Sequence, residues 1–248
     1  MKQIYEIIYG HERIPNHIYK YYLQNEIIKY YKKKYTNKIK NYEESQNIVY
    51  NQFTNIILYK EPNKHELLYK WNGKINIEHV WCRKYLKNES YIKNDLHNLF
   101  LSDSKENSLR SDKPFKNKIS KKNDINNYYI PNFESKIYLF YTLCYFRIYY
   151  PHIYMENIDK MIHKKTWKDW YKNYKYSNCN SMNKLLYRDV IIEKIQGNFN
   201  PFLTNPLLFY IFFDENDKME LLQNLQIIIK RNFYKMKISL FHYYFYHF

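Results

Sequence analysis

Apolar positions recur along the chain with two periods, and the switches between them divide it into elements. From Ile18 to Lys60 the residues are rich in Tyr, Ile and Lys, with neither Pro nor Gly, a pattern of one or two amphipathic helices with solvated lysine faces. After Gly73 the pattern changes. Lys74-Ile75-Asn76-Ile77-Glu78-His79-Val80-Trp81 alternates as a short strand does, and Leu96-His97-Asn98-Leu99-Phe100-Leu101 suits a second. Ser102 or Asp103 can cap a helix running through Lys105, Asn107 and Arg110 and stopping before Pro114. Lys116 to Asn127 reads as an exposed polar loop. Ile137, Phe140, Tyr141, Cys144 and Ile148 then return at helical spacing, with Pro151 ending that element. Leu186, Val190, Ile191 and Ile195 mark another helix, which Gly197 stops, and Asn200-Pro201-Phe202 opens a turn. From Asp214 one more periodic segment leads to the aromatic end Phe241 to Phe248, which receives no role.

The 248 residues suffice for one good core, so the expected fold is α+β in a single, mostly helical domain over 1–248. Within it, 1–72 is a helical N-terminal elaboration and 214–248 a C-terminal extension. A net charge of +16 points to a polyanionic partner. That signal is weakened by its source: only six residues of the basic set are Arg, and the abundant Lys, Asn, Ile and Tyr share A/T-rich codons. With Gly10, Gly73 and Gly197 the only glycines, a phosphate-binding P-loop and a dinucleotide fingerprint are both excluded. Cys82, Cys144 and Cys179 cannot all pair within one chain and fit no zinc spacing, which favours a reducing compartment. The first residues lack the order of a signal peptide and no apolar run reaches membrane length, so the expected location is intracellular, off the membrane.

Chemistry concentrates in the strand, strand, helix order. Glu78-His79 lies on the first strand, Asp95-Leu96-His97-Asn98-Leu99 on the second, and Asn107 and Arg110 on the helix. This is the layout of a ββα-metal, or His-Me finger, nuclease core. Phosphodiester hydrolysis needs a deprotonated water, positive charge against the developing negative charge, and help for the leaving oxygen. An imidazole such as His79 titrates near neutrality and can take the water's proton. Magnesium prefers oxygen ligands and keeps several waters, so one carboxylate and one amide oxygen suffice to hold it.

Three ordered blocks, Asn76 to Trp81, Asp95 to Leu99 and Lys105 to Phe115, resemble the endonuclease I family of bacterial non-specific nucleases. Ile195-Gln196-Gly197-Asn198-Phe199-Asn200-Pro201-Phe202 is similar to that family's C-terminal signature, with Arg188-Asp189 at the expected distance before it. The resemblance runs from about 73 to 209. It implies His79 as general base, Glu78 and Asn107 as ligands of Mg2+ with Mn2+ or Ca2+ as substitutes, and DNA as substrate, with RNA a second candidate. Asn98 would fasten the loop or orient His79. Some relatives carry a basic residue against the cleaved phosphate between the first two blocks. Arg83 is the first candidate for that role, and Lys84, Lys87 and Lys93 follow as nucleic-acid contacts. Arg110 matches a family arginine that either supports the helix or approaches phosphate. Asp95 and His97 match positions of structural character, and a buried, hydrogen-bonded His97 is the expectation. Cys82 stands where the family usually has proline, and the chain is shortened after Glu134. The competing reading is a nucleic-acid-binding protein that keeps the fold without activity.

Overall fold

The structure is a computed structural model that describes residues 16–33, 38–39, 41–59, 75–86, 89–118, 124–175 and 179–213. Gly73, Lys74, Lys87 and the extension from 214 lie outside them. The described residues fall into two compact units, one within 28–206 and one that joins 16–27 with 207–213.

The first described helix is α1 (Asn16–Lys33). Helix α2 (Tyr42–Gln52) follows, with the Asn41 side chain accepting the Glu44 N–H at 2.9 Å and two glutamates in the first turn complementing the helix dipole. Of the one or two helices expected over 18–60, two are present, and the same stretch also holds a strand, β1 (Ile57–Leu58). Strand β2 (Ile75–His79) lies close to its expected bounds. After it come a 3-10 turn, Arg83–Tyr85, and a single helical turn, α3 (Ser90–Lys93).

The second expected strand starts three residues late. Leu96–Asn98 forms a 3-10 turn, and β3 runs Leu99–Asp103. The cause is Asp95, whose carboxylate accepts the His97 N–H at 2.8 Å and gives the backbone a turn in place of a ladder. Of the two expected caps, Asp103 is the one used: its Oδ1 accepts from the Lys105 and Glu106 N–H groups, both at 3.0 Å, and starts α4 (Ser104–Arg110).

The sheet is mixed, in the order β1-β3-β2, with β3 parallel to β1 and antiparallel to β2. Glu78 pairs with Phe100 and His79 with Leu99. Period-two alternation gives the sheet two different faces. Ile75, Ile77, Leu99 and Leu101 pack with Val49 of α2, with Phe53 just after it and with Ile192. Asn76, Glu78, Phe100 and Ser102 turn the other way, where Asn76 and Glu78 meet Asn107 and Arg110 of α4.

Part of the expected polar loop is helical as α5 (Asp124–Asn127). Helix α6 (Phe133–Tyr149) is buried on nearly every side and forms the hub of the unit, with Phe146 stacked on Trp81 at 4.7 Å. Pro151 ends α6 and also opens α7 (Pro151–Met161), because proline suits a first helical position. Helix α8 (Lys164–Tyr174) buries Trp170, whose indole N–H donates to Asn117 Oδ1 at 2.6 Å, so this tryptophan is core. Helix α9 (Asn180–Gln196) ends at Gly197 in the left-handed conformation, φ 94°. Asn200 caps the short α10 (Pro201–Thr204). In the smaller unit, Gln24 Nε2 donates to the Ile211 carbonyl of α11 (Leu207–Phe213) at 2.6 Å. Among the described residues, no helix is long and apolar enough to cross a membrane.

Candidate functional site

His79 ends β2 with its ring buried on the α2 side of the sheet, at 5% exposure. Nε2 lies 3.1 Å from the Lys93 carbonyl. A carbonyl only accepts, so this contact fixes the proton on Nε2 and leaves Nδ1 as the ring's acceptor. Arg83 Nε approaches from the exposed side, 3.3 Å from Nδ1, and its guanidinium also lies over the Tyr42 ring at 4.6 Å. Tyr42 of α2 covers the imidazole with ring centroids 5.4 Å apart. Burial, and after it the charge of Arg83, lowers the His79 ring to about 3, so the ring is neutral at physiological pH.

Glu78, one residue earlier, points to the opposite face, as strand alternation requires. Its Oε1 takes two bonds, from the Tyr59 hydroxyl at 3.0 Å and from Arg110 Nη1 at 3.0 Å. Burial raises its carboxyl above the ordinary value, against the opposing pull of Arg110 and Tyr59. Asn107 sits on the same face of the sheet. Its Nδ2 donates to Asn76 Oδ1 at 2.8 Å and to the Ile77 carbonyl at 3.4 Å. Asn107 and Arg110 are three residues apart on α4, hence neighbours on one helix face, just as Asn76 and Glu78 are neighbours on β2. Arg110 is itself buried and joins strand to helix, donating to the His79 and Val80 carbonyls at 3.3 and 2.9 Å as well as to Glu78. Of the two roles open to it, support of the helix matches this geometry, and a phosphate contact does not, because the guanidinium is buried and both Nη atoms are turned to these acceptors.

The two groups meet through the backbone. Arg110 Nη1 bonds both Glu78 Oε1 and the His79 carbonyl, and the His79 backbone also hydrogen-bonds the Glu78 carboxylate. Among the described residues no three His, Cys, Asp or Glu side chains gather as a metal cage. The donor set that exists is a carboxylate anchored through Oε1 and an amide anchored through its nitrogen, so Glu78 Oε2 and Asn107 Oδ1 are the oxygens left for a ligand. Two hard oxygen donors fit an ion that keeps most of its waters, as Mg2+ does, and fit zinc poorly.

A second network holds the turn after β2. Asn98 is fully buried, and its Oδ1 accepts the Trp81 N–H at 2.6 Å while its backbone carbonyl accepts the Val80 N–H at 3.0 Å. Asn98 therefore fastens the segment that leaves His79. Asp95 takes donors from His97 N, Gln196 Nε2, Tyr145 and Tyr150. Gln196 Oε1 also accepts the Leu96 N–H at 2.8 Å, and Arg188 donates to the Leu96 and Leu99 carbonyls. His97 is buried against Tyr145, with ring centroids 4.2 Å apart, and its Nε2 is 3.4 Å from the Asn198 carbonyl. Burial lowers His97 to about 4 and pushes the Asp189 carboxyl upward, against the Asn200 N–H it accepts and the charge of Arg188; the two side chains lie 3.7 Å apart. The C-terminal motif thus braces the 95–99 turn from below.

Of the lysines, Lys84 is exposed and pairs with Asp112 at 2.6 Å, and Lys93 offers its carbonyl to His79 while its side chain is half-buried. Lys87 lies outside the described residues. Sequence reasoning passed over Tyr42 and Tyr59, which touch His79 and Glu78 directly; nothing marks them among 31 tyrosines. Comparison with protein-family models and with curated proteins finds no match to this chain.

Proposed function

We propose that the chain is a divalent-metal-dependent endonuclease of the ββα-metal type, hydrolysing phosphodiester bonds of DNA, and of RNA as a second substrate, with little sequence preference. The observation that carries this reading is the tethering of His79 Nε2 to the Lys93 carbonyl at 3.1 Å, with Arg83 beside Nδ1, on the residue that follows Glu78.

The neutral ring with its proton fixed on Nε2 can take a proton from water only at Nδ1. In the resting arrangement Arg83 Nε lies against both ring nitrogens, 3.3 Å from Nδ1 and 3.4 Å from Nε2, and so covers the ring where that proton would arrive. Arg83 is exposed, so a phosphate oxygen can draw its guanidinium away, which neutralises substrate charge and frees the base in one movement. The same movement removes the second cause of the low ring pKa and so strengthens the base. Glu78 Oε2 and Asn107 Oδ1 would hold the metal ion. When bound, the ion supplies positive charge to the phosphate and to the departing oxygen. Asn98 keeps the Val80-Trp81 backbone, and through it the end of β2, in place. No base-reading module accompanies these groups among the described residues, so contacts to the sugar-phosphate backbone dominate.

Supercoiled plasmid in Mg2+ is the direct test. Nicking followed by degradation is expected, abolished by chelator and reduced about 10²- to 10⁴-fold in His79→Ala. Undiminished cleavage by that variant rejects His79 as the base. Salt-sensitive DNA binding without cleavage under any divalent ion would establish the non-catalytic binding protein instead.

A further inference from the structure

We infer that Tyr59, which lies outside the segment bearing the nuclease-like motifs, is a positioning residue for the oxygen-donor pair Glu78 and Asn107. The inference rests on the endonuclease reading above. Tyr59 directly follows β1 and is buried. Its φ of 65° is in the left-handed region, which a bulky side chain enters only when its surroundings enforce it, and such residues concentrate at functional sites. The enforcing contact is present: the Tyr59 N–H donates to Ser135 Oγ of α6 at 2.8 Å. The unusual backbone turn carries the phenol under the sheet face that bears Glu78, where its hydroxyl donates to Oε1 at 3.0 Å.

The consequence for Glu78 is geometric. A carboxylate held by one donor can still rotate about its last bond. Here Tyr59 and Arg110 both bind Oε1, each at 3.0 Å, so the rotation is fixed and Oε2 has one orientation. The contact chain continues to the second donor. The Tyr59 ring meets the Tyr129 ring edge-on at 4.8 Å, and the Tyr129 hydroxyl donates to Glu106 Oε2 at 2.8 Å, on the residue before Asn107. One line of contacts therefore runs from β1 through Glu78 and also to the helix that carries Asn107. Groups that orient metal ligands in this way commonly change metal affinity about 10- to 100-fold when removed.

The experiment measures Mn2+ binding to the full chain from the spin-resonance signal of free Mn2+, beside thermal melts and cleavage of a duplex oligonucleotide. It compares the unchanged chain with Tyr59→Phe, Ser135→Ala and Glu78→Gln. Tyr59→Phe deletes only the hydroxyl. It should weaken Mn2+ binding about tenfold or more and raise the metal concentration for half-maximal cleavage by the same factor. Ser135→Ala, which loosens the Tyr59 backbone and leaves the hydroxyl intact, should shift both in the same direction by less. A residue that merely fills space would lower the melting temperature and leave Mn2+ affinity where it was; that result overturns the inference, and if Tyr59→Phe does not fold, Ser135→Ala decides it the same way. Glu78→Gln separates the two levels. If it binds Mn2+ and cleaves like the unchanged chain, the metal site itself is wrong, whereas loss in Glu78→Gln with no change in Tyr59→Phe removes only the role of Tyr59.

Discussion

At the scale of single residues, the histidines divide by what their rings touch. His79 has an acceptor nitrogen beside an exposed arginine, while His97 is enclosed by Tyr145, Asn198 and Asp189. The enclosure of His97 has a consequence for pH. Its ring falls from 6.5 to about 4 in the fold, so the folded state prefers the neutral form. Below 6.5 the unfolded chain binds a proton that the folded chain refuses; the contribution of His97 to stability is therefore full above 6.5 and lost as the pH falls toward about 4. Urea midpoints across this window should fall more steeply for the unchanged chain than for His97→Gln, and superimposable profiles would exclude the effect. The sequence singles out His79 as a candidate because Asn98 and Asn107 follow it in order, and the expectation of a buried His97 agrees with its position. Tyr42 and Tyr59 were illegible for a physical reason: both reach the site through pairings distant in sequence, and a tyrosine's spacing carries no sign of what its hydroxyl or ring will meet.

At the scale of elements, local chemistry marked the ends better than the middles. Gly197 stops α9 as its sequence neighbours imply, and its φ of 94° makes the reason concrete. Gly197→Ala should cost about 1–2 kcal/mol, read as a lower urea midpoint with an unchanged m-value, since a Cβ opposes the left-handed conformation. The second strand was misplaced because its apolar alternation begins at Leu96, whereas the Asp95 carboxylate captures the His97 N–H and delays the ladder to Leu99. Strand β1 escaped notice because it is two residues long and exists only by pairing with Leu101 and Ser102, more than forty positions away. Helices α7 and α8 were missed for different reasons. In the sequence Pro151 signals only an end, whereas it is also a beginning, and the polar residues of α8 hide the stripe of Thr166, Trp170 and Tyr174 that it buries.

For the whole molecule, the excess of 40 basic over 24 acidic residues predicts affinity for polyanions that falls steeply with salt. The slope of log K against log salt should be about −0.9 for each phosphate neutralised on duplex DNA. Arg83→Ala should reduce its magnitude by about one, whereas Arg110→Lys, at a buried position, should leave the slope unchanged while lowering stability. An Arg83→Ala slope equal to that of the unchanged chain would mean that Arg83 does not meet phosphate.

The strand order β1-β3-β2 also fixes when the molecule can be completed as it is made. Neither outer strand has a partner in the sheet until Leu99 to Asp103 exist, because β1 and β2 are not neighbours. The turn before β3 waits longer still: Gln196, which binds both Asp95 and the Leu96 N–H, is 101 and 100 positions downstream. At ordinary translation speeds that interval is about 5–20 s. A ribosome-bound chain therefore carries the turn at Asp95 and Leu96 without its Gln196 brace over that interval, and the final turn of α9 is what closes the network beneath β3.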